Sequence, residues 1–312
     1  MQQQNVKRLN FKGGEDMTDR SKNISASSKV AKVVIYIALI LLAITIIVPV
    51  AWVFVASIKE NSEFYGSPWA LPKGFHFQNF IDAWQTADMG SYVLNSVLVT
   101  ALGIFLLIVL ALPAAYVLAR FQFKSRKIWS VLFMAGLFIN VNYIVVPIFL
   151  MLNNADAKLR QWFGNPFFLN NLFILALVYA STALPFTIYL LSGYFKSLAK
   201  DYEEAAYVDG AGYWRTMLQI IMPMAKPSIV TVILFNFLSF WNEYIISMTL
   251  LTKPELKTLP VGLMNLMAAQ KSAVQYGQMY AGLVIVMLPT LILYICVQKK
   301  LTQGMTLGGL KG

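Results

Sequence analysis

Five long runs of the chain contain no Asp, Glu, Lys or Arg: Val33 to Ile58, Met89 to Ala119, Ile128 to Ala155, Gln161 to Phe195 and Ser272 to Gln298. A sixth, Pro227 to Thr252, is interrupted only by Glu243. A helix of about 20 apolar residues crosses the hydrocarbon core of a bilayer. Each run is long enough for one crossing and too short for two with a turn between them. Inside lipid the backbone must satisfy its own hydrogen bonds, so such runs fold as helices. The expectation is an all-α polytopic membrane protein with six transmembrane helices, near 33–57, 92–119, 128–151, 170–193, 227–251 and 276–298. Pro113, Pro147, Pro185 and Pro289 lie in or near these spans. A membrane bundle tolerates such kinks when neighbouring helices satisfy the freed carbonyls.

Composition agrees: 58% of residues are hydrophobic and only 12% charged, where a soluble domain carries about 25% charged residues. The net charge of +11 reads as the excess of basic residues on the inner side of a bacterial membrane protein, not as a nucleic-acid surface. Lys and Arg number seven in the N-terminal tail, four in the second connection, four in the fourth and three at the C-terminus, eighteen in all, against seven on the other side. That bias places both termini in the cytoplasm of a multi-pass plasma-membrane protein, and an even number of spans agrees. Residues 1–28 are polar and basic and are expected to be a disordered cytoplasmic tail, with the membrane domain over 29–312. The first apolar run is too long, and begins too late, for a cleaved signal peptide. Cys296 is alone, which excludes an internal disulfide, and is expected to be inert packing. His76, the single histidine, has no second ligand near it in the sequence. It lies in the outer loop Lys59 to Asp88, where Pro68 and Pro72 break helices and Trp69 and Trp84 suit the membrane–water interface.

The connection at 199–224 is the informative one. Asp201 with Glu204 three residues later reads as a capping-box start. Ala205, Ala206 and Val208 continue a short helix, which Gly210 and Gly212 stop. Trp214, Met217, Leu218 and Ile221 recur at three- and four-residue spacing, giving a second amphipathic helix that ends before Pro223. The expected product is a helix–turn–helix elbow on the cytoplasmic face, a shape that suits a groove on a partner.

This segment resembles the signature loop of ABC-importer permeases: Glu-Ala-Ala, three residues, Gly, nine residues, Ile, one residue, Leu-Pro. Glu204, Ala205, Ala206, Gly210, Ile220 and Pro223 fall in register, and Met222 replaces the Leu. Asp209-Gly210-Ala211 is similar to the carbohydrate branch. The stretch Phe235 to Tyr244, the segment Lys257 to Leu263 and the tail Leu301 to Gly312 resemble the smaller permease of maltose-type systems. The resemblance runs from about Val33 to the end.

The resemblance implies a type I ABC-importer permease fold and a transport subunit that is not an enzyme. It implies no catalytic residue, metal site or cofactor on this chain, with ATP and Mg²⁺ bound by a partner ATPase. The absence of a Gly-x-x-x-x-Gly-Lys-Ser/Thr phosphate loop agrees. The implied partners are a second permease subunit, a cytoplasmic ATPase dimer, an extracellular solute-binding protein and a carbohydrate, in a lipid bilayer. Glu204, Ala205, Ala206, Asp209, Gly210, Ala211, Trp214, Ile220 and Pro223 would form the coupling surface, with Glu204 facing a basic residue of the ATPase.

Glu243 is the single carboxylate within an expected span. It faces the pore and bonds sugar hydroxyls, or it makes a structural bond to a neighbouring helix. Asn242, Asn236, Ser239, Asn140, Asn142 and Tyr143 are the other polar pore candidates, and each is equally interhelical glue. An ion-coupled transporter needs charged groups near the midplane, and an intramembrane enzyme needs paired catalytic or ligating residues. The spans offer neither. An importer for a non-sugar solute stays open on the loop alone.

Overall fold

The computed structural model describes the backbone of residues 3–86, 88–269 and 274–309, and the side chains of 29–85, 88–268 and 274–298. The chain divides into two units, Met1–Ala56 and Ser57–Gly312. The first is the helix α1 (Gln3–Ser57), with Pro49 inside it. Its apolar part is Lys29–Ser57, long enough to cross a bilayer. Residues 3–28, expected as a disordered tail, carry on the helical backbone. Extending an existing helix needs no new nucleus, so a polar segment can follow an apolar one.

In the second unit the short helices α2 (Ser62–Gly66) and α3 (Gln78–Thr86) precede α4 (Met89–Arg120). Next come α5 (Arg126–Gly136), α6 (Val141–Phe163) and α7 (Leu172–Ser197). The elbow consists of α8 (Asp201–Val208), α9 (Tyr213–Arg215), a π-helical turn (Thr216–Ile221) and α10 (Met222–Met224). The chain ends through α11 (Lys226–Trp241), α12 (Ile245–Leu250), a 3₁₀ turn (Pro254–Leu256), α13 (Leu259–Ala269) and α14 (Tyr276–Gly309). The described residues include no strand.

Among the described residues, four helical stretches are each long and apolar enough to cross a membrane, and counting each of two bent pairs as one span brings the number to six. The third expected span, 128–151, is not one straight helix. It is α5 and α6, bent by 104°. At the break Asn140 caps α6, accepting from the Asn142 amide at 2.9 Å. Gly136 ends α5 against Pro185, whose Cγ would lie 2.7 Å from an added Cβ. The fifth, 227–251, is also broken: α11 stops at Trp241 and α12 starts at Ile245. The elbow enters α11 through a 76° bend, with Pro227 in the first turn of α11. There its missing N–H costs nothing.

The core forms where α4 and α7 run against each other. Small residues, among them Gly103, Ala111 and Ala115 of α4 and Ala176 and Ala180 of α7, let the backbones approach. An added Cβ on Gly103 would meet the Phe240 ring at 3.3 Å and the Ala176 carbonyl at 3.4 Å. Lipid is as apolar as these side chains, so close packing and polar ties hold the helices together. Ties of this kind include Trp241 Nε1 donating to the Val286 carbonyl at 3.1 Å, and Asn95 Nδ2 donating to the Glu255 and Lys257 carbonyls at 2.9 and 3.0 Å. Cys296, expected as inert packing, is exposed on α14.

Candidate coupling elbow and polar residues of the spans

Helix α8 starts without the expected capping box. Lys200 is the N-cap, and no side chain closes the first turn. Asp201, Glu203 and Glu204 sit in that turn instead, where carboxylates favour the positive end of the helix dipole. The helix ends as a Schellman motif. The Gly210 amide donates to the Tyr207 carbonyl at 3.0 Å and the Ala211 amide to the Ala206 carbonyl at 2.9 Å. Gly210 has φ +75°, the left-handed conformation that glycine adopts without penalty. Gly212 is extended and serves as the N-cap of α9, so only one of the two glycines is needed for its backbone angles. The amphipathic segment does not end before Pro223. It runs on through the π turn to Met224.

The elbow has two faces. Glu203, Ala206, Ala211, Thr216, Met217 and Ile221 are buried against the body of the chain. Glu204, Ala205, Asp209, Gly210 and Pro223 are exposed. Large apolar side chains stand beside them: Val208 is 87% exposed, Trp214 61% and Leu218 51%. The Ala205-Ala206 pair therefore splits, with Ala205 outward and Ala206 sealing the helix onto its own chain. Ile220 is likewise turned inward, packed on the core.

The anchor is a pair not marked from the sequence. Arg120, the last residue of α4, places Nε 3.1 Å from Glu203 Oε1, with side chains 5% and 12% exposed. Neither atom makes an aligned hydrogen bond, so their contact is Coulombic. The other arm of the guanidinium donates to the Leu198 carbonyl at 2.9 Å and the Ala199 carbonyl at 3.3 Å. The one signal was the Glu203-Glu204 doublet. Adjacent helical residues point about 100° apart, so two glutamates in sequence serve two different surroundings. Around this anchor Tyr116, Phe121, Phe195 and Tyr213 form an aromatic cluster with centroids 5.6–5.8 Å apart. It joins the ends of α4 and α7 to the elbow.

The polar residues of the spans separate by environment. Glu243 receives three hydrogen bonds: from Tyr179 Oη at 2.7 Å, the Ile246 amide at 2.7 Å and the Ser247 amide at 3.0 Å. It thus caps the first turn of α12 and ties it to α7. Asn236 is buried and donates to Thr187 Oγ1 at 3.2 Å and the Val232 carbonyl at 2.8 Å. Asn242 is exposed and bonds back to the Leu238 carbonyl at 2.8 Å. Ser239, Asn140 and Asn142 are exposed, as is Tyr143, at 82%. The last three cluster at the α5–α6 break, away from Glu243 in the chain. A cleft of about 600 Å³ opens between α5, α7 and α11 in the half of the bundle nearer the elbow. Ser130, Tyr189, Ser192, Tyr194, Ser228 and Thr231 are among the residues that line it, the hydroxyls of Ser192, Tyr194 and Thr231 donating to the Ala115, Met224 and Pro227 carbonyls. None of these was marked from the sequence, because isolated hydroxyls in apolar runs carry no spacing signal.

Residues 108–307 match the model of the family described as binding-protein-dependent transport system inner membrane component. The diacetylchitobiose uptake system permease protein NgcG of Streptomyces coelicolor is 37% identical over 270 residues, 86% of each chain. The probable ABC transporter permease protein YurM of Bacillus subtilis is 32% identical over 278 residues, 89% of this chain and 88% of its own. A solved bacterial ABC transporter involved in the import of the acidic polysaccharide alginate has the same fold. Its TM-score is 0.74 at 23% identity, covering 88% of this chain and 97% of its own. The match spans both the elbow and the helices that hold it, and the chain belongs to the binding-protein-dependent transport system inner membrane component family.

Proposed function

We propose that this protein is one transmembrane subunit of an ATP-driven, binding-protein-dependent carbohydrate importer. It forms half of the translocation pore, with the elbow at 201–223 on the cytoplasmic side and both termini inside. The observation that carries the proposal is the two-faced elbow. Its inner face is fixed to α4 through Arg120 and Glu203. Its outer face offers Glu204 and three large apolar side chains to a partner. An exposed apolar patch rimmed by charge is the surface a docking groove recognises. The partner is the ATPase, which binds ATP and Mg²⁺; closure of its dimer moves the elbow. A second permease completes the pore and an extracellular binding protein delivers the solute.

The carbohydrate assignment is supported by relatives named for diacetylchitobiose, galactooligosaccharides and melibiose/raffinose/stachyose. The hydroxyl-lined cleft fits the same reading, since sugars exchange hydrogen bonds with side-chain hydroxyls readily. Replacing Gly210→Asp tests the coupling. The subunit inserts and assembles, because an added Cβ at Gly210 meets nothing within 4 Å. ATP-dependent sugar uptake is lost, because a carboxylate is added to the exposed face beside Glu204 and Asp209, while Asp, like Asn, tolerates the left-handed turn. Normal uptake in this variant sinks the coupling assignment.

A further inference from the structure

The outer-loop segment 58–79 is built more tightly than its sequence suggests. Lys59 is fully buried and donates through Nζ to the Pro68 and Ala70 carbonyls, both at 2.9 Å. Asn79 Nδ2 donates to the Ser57 and Lys59 carbonyls at 2.9 Å each. Asn61 Oδ1 accepts from the Tyr276 amide at 2.9 Å, and Phe64 packs on the Tyr276 and Tyr280 rings. The His76 amide donates to the Ile58 carbonyl at 3.0 Å, fixing the histidine over the start of the loop.

This fold brings His76 to Glu60 and Glu63. One ligand atom from each lies within 4.8 Å of the other two. Glu63 also carries an unexplained group. Its Oε1 accepts from the Lys73 amide at 3.2 Å, while its Oε2 is buried and takes no hydrogen bond. A carboxylate oxygen without water or a donor is costly, and a cation is the ordinary remedy. The nearby Lys59 ammonium is directed to Pro68, Ala70 and the Phe64 ring.

We infer that Glu60, Glu63 and His76 form a zinc-type divalent metal site that clips the outer loop closed. One imidazole with two carboxylates is a zinc donor set, whereas calcium and magnesium take oxygen ligands. Tetrahedral ligands at about 2.0–2.2 Å from zinc stand roughly 3.3 Å apart. The exposed Glu60 side chain supplies the small inward movement this requires. A fourth position stays open for water. The ion bridges positions 60 and 76, so the loop that exposes Trp69, Leu71, Phe75 and Phe77 is held in one conformation.

The test is zinc titration of the full chain in detergent, purified without a polyhistidine tag. Binding and thermal shift are followed for the wild type, His76→Ala and Glu60→Gln. Glu60 is exposed and its side chain makes no bond that folding needs. The expected result is one zinc per chain that a hundredfold excess of calcium does not displace. Affinity falls about tenfold or more in each variant. X-ray absorption of the bound zinc shows one imidazole and oxygen neighbours. Zinc also slows proteolysis within residues 60–76 of the wild type and not of Glu60→Gln. No retained zinc, or equal affinity in wild type and Glu60→Gln, overturns the site. Neither outcome touches the coupling assignment, whose test is uptake by the Gly210 variant.

Discussion

Glu203 and Glu204 are neighbours in the chain, yet their replacement by Gln has opposite consequences. Glu203 is paired with Arg120 at 3.1 Å, and both side chains are largely withdrawn from water. Removing one partner of such a pair leaves a buried charge and costs about 3–5 kcal/mol. An exposed pair would contribute only about 0–1 kcal/mol. The amide of Gln keeps some dipole, so we take the lower value, about 3 kcal/mol, for Glu203→Gln. That energy appears as easier local opening of the elbow, not as global unfolding, since α4 and α7 keep their own contact. Hydrogen exchange of the segment 198–212 should therefore accelerate by about a hundredfold, at about 1.4 kcal/mol per decade. Glu204→Gln leaves exchange in the same segment unchanged, because the side chain is exposed. It reduces uptake if Glu204 meets a basic residue of the ATPase. Arg120→Lys gives an intermediate result: the charge survives, but a single ammonium cannot reproduce the planar fork that reaches Glu203, Leu198 and Ala199 together. Mass-spectrometric exchange on the full chain in a bilayer disc reads all three. Acceleration below about fivefold for Glu203→Gln would refute a buried latch, since an exposed pair already accounts for that much.

Other outcomes follow from the same geometry. Gly210→Ala costs about 1–2 kcal/mol for the left-handed backbone alone, and Gly210→Asn costs less because Asn tolerates that region; uptake should rank Gly, Asn, Ala. Glu243→Gln loses the charge behind three hydrogen bonds, each worth about 1.5–3 kcal/mol, and lowers the melting temperature in detergent well below that of Tyr179→Phe. If Glu243→Gln also leaves transport rate and substrate range unchanged, the residue has no pore role. Gly262→Ala drives a Cβ into the Tyr92 ring and should abolish stable expression, with Tyr92→Ala restoring it in the double variant. Asp156 is buried and accepts from the Phe167, Phe168 and Leu169 amides at 2.7–2.8 Å; Asp156→Asn removes that charge and should expose 164–171 to proteolysis.

The number of spans was legible because lipid allows few ways to satisfy a backbone, so a long run without charge predicts a crossing directly. Their breaks were not legible. The stretch Ile128 to Ala155 carries no charge and its scattered Asn residues suit a span as readily as a cap, so the turn at 137–140 shows only in the fold, where Asn140 caps α6 and Gly136 lies against Pro185. The α11–α12 break was half visible. Glu243 stood out as costly in an apolar run, and the structure gives it backbone amides at a helix start within the span. The elbow was legible through Gly210, whose spacing demanded a helix stop, but not through Ala206 or Ile220, which turn inward. Nothing local tells which of two alanines faces a partner. The Glu60, Glu63 and His76 cluster escaped notice because fifteen residues lie between Glu60 and His76, and only the folded loop brings them together.

The elbow is tied to the bundle by different contacts along its two limbs, and a push on it travels through them. Helix α8 meets α4 through the buried Arg120–Glu203 contact and α7 through the Leu198 and Ala199 carbonyls that Arg120 also holds. Those ties are short and charged, so α8 moves together with the ends of α4 and α7. The far limb differs. Its six residues Thr216–Ile221 are π-helical, a wider turn that often marks a functional site in a helix. Beyond it the chain bends 76° into α11, where Tyr194 Oη donates to the Met224 carbonyl at 3.0 Å. In the proposed coupling, a partner that pushes on Trp214 and Val208 drives α4 and α7 as one body. Helix α11 follows through the bend, whose Met217, Ile221 and Ala225 are packed in the core. The cleft is lined by α5, α7 and the first turns of α11 beyond that bend, so in the proposed coupling a shift of α11 against α7 changes its width while the packed seam of α4 on α7 does not.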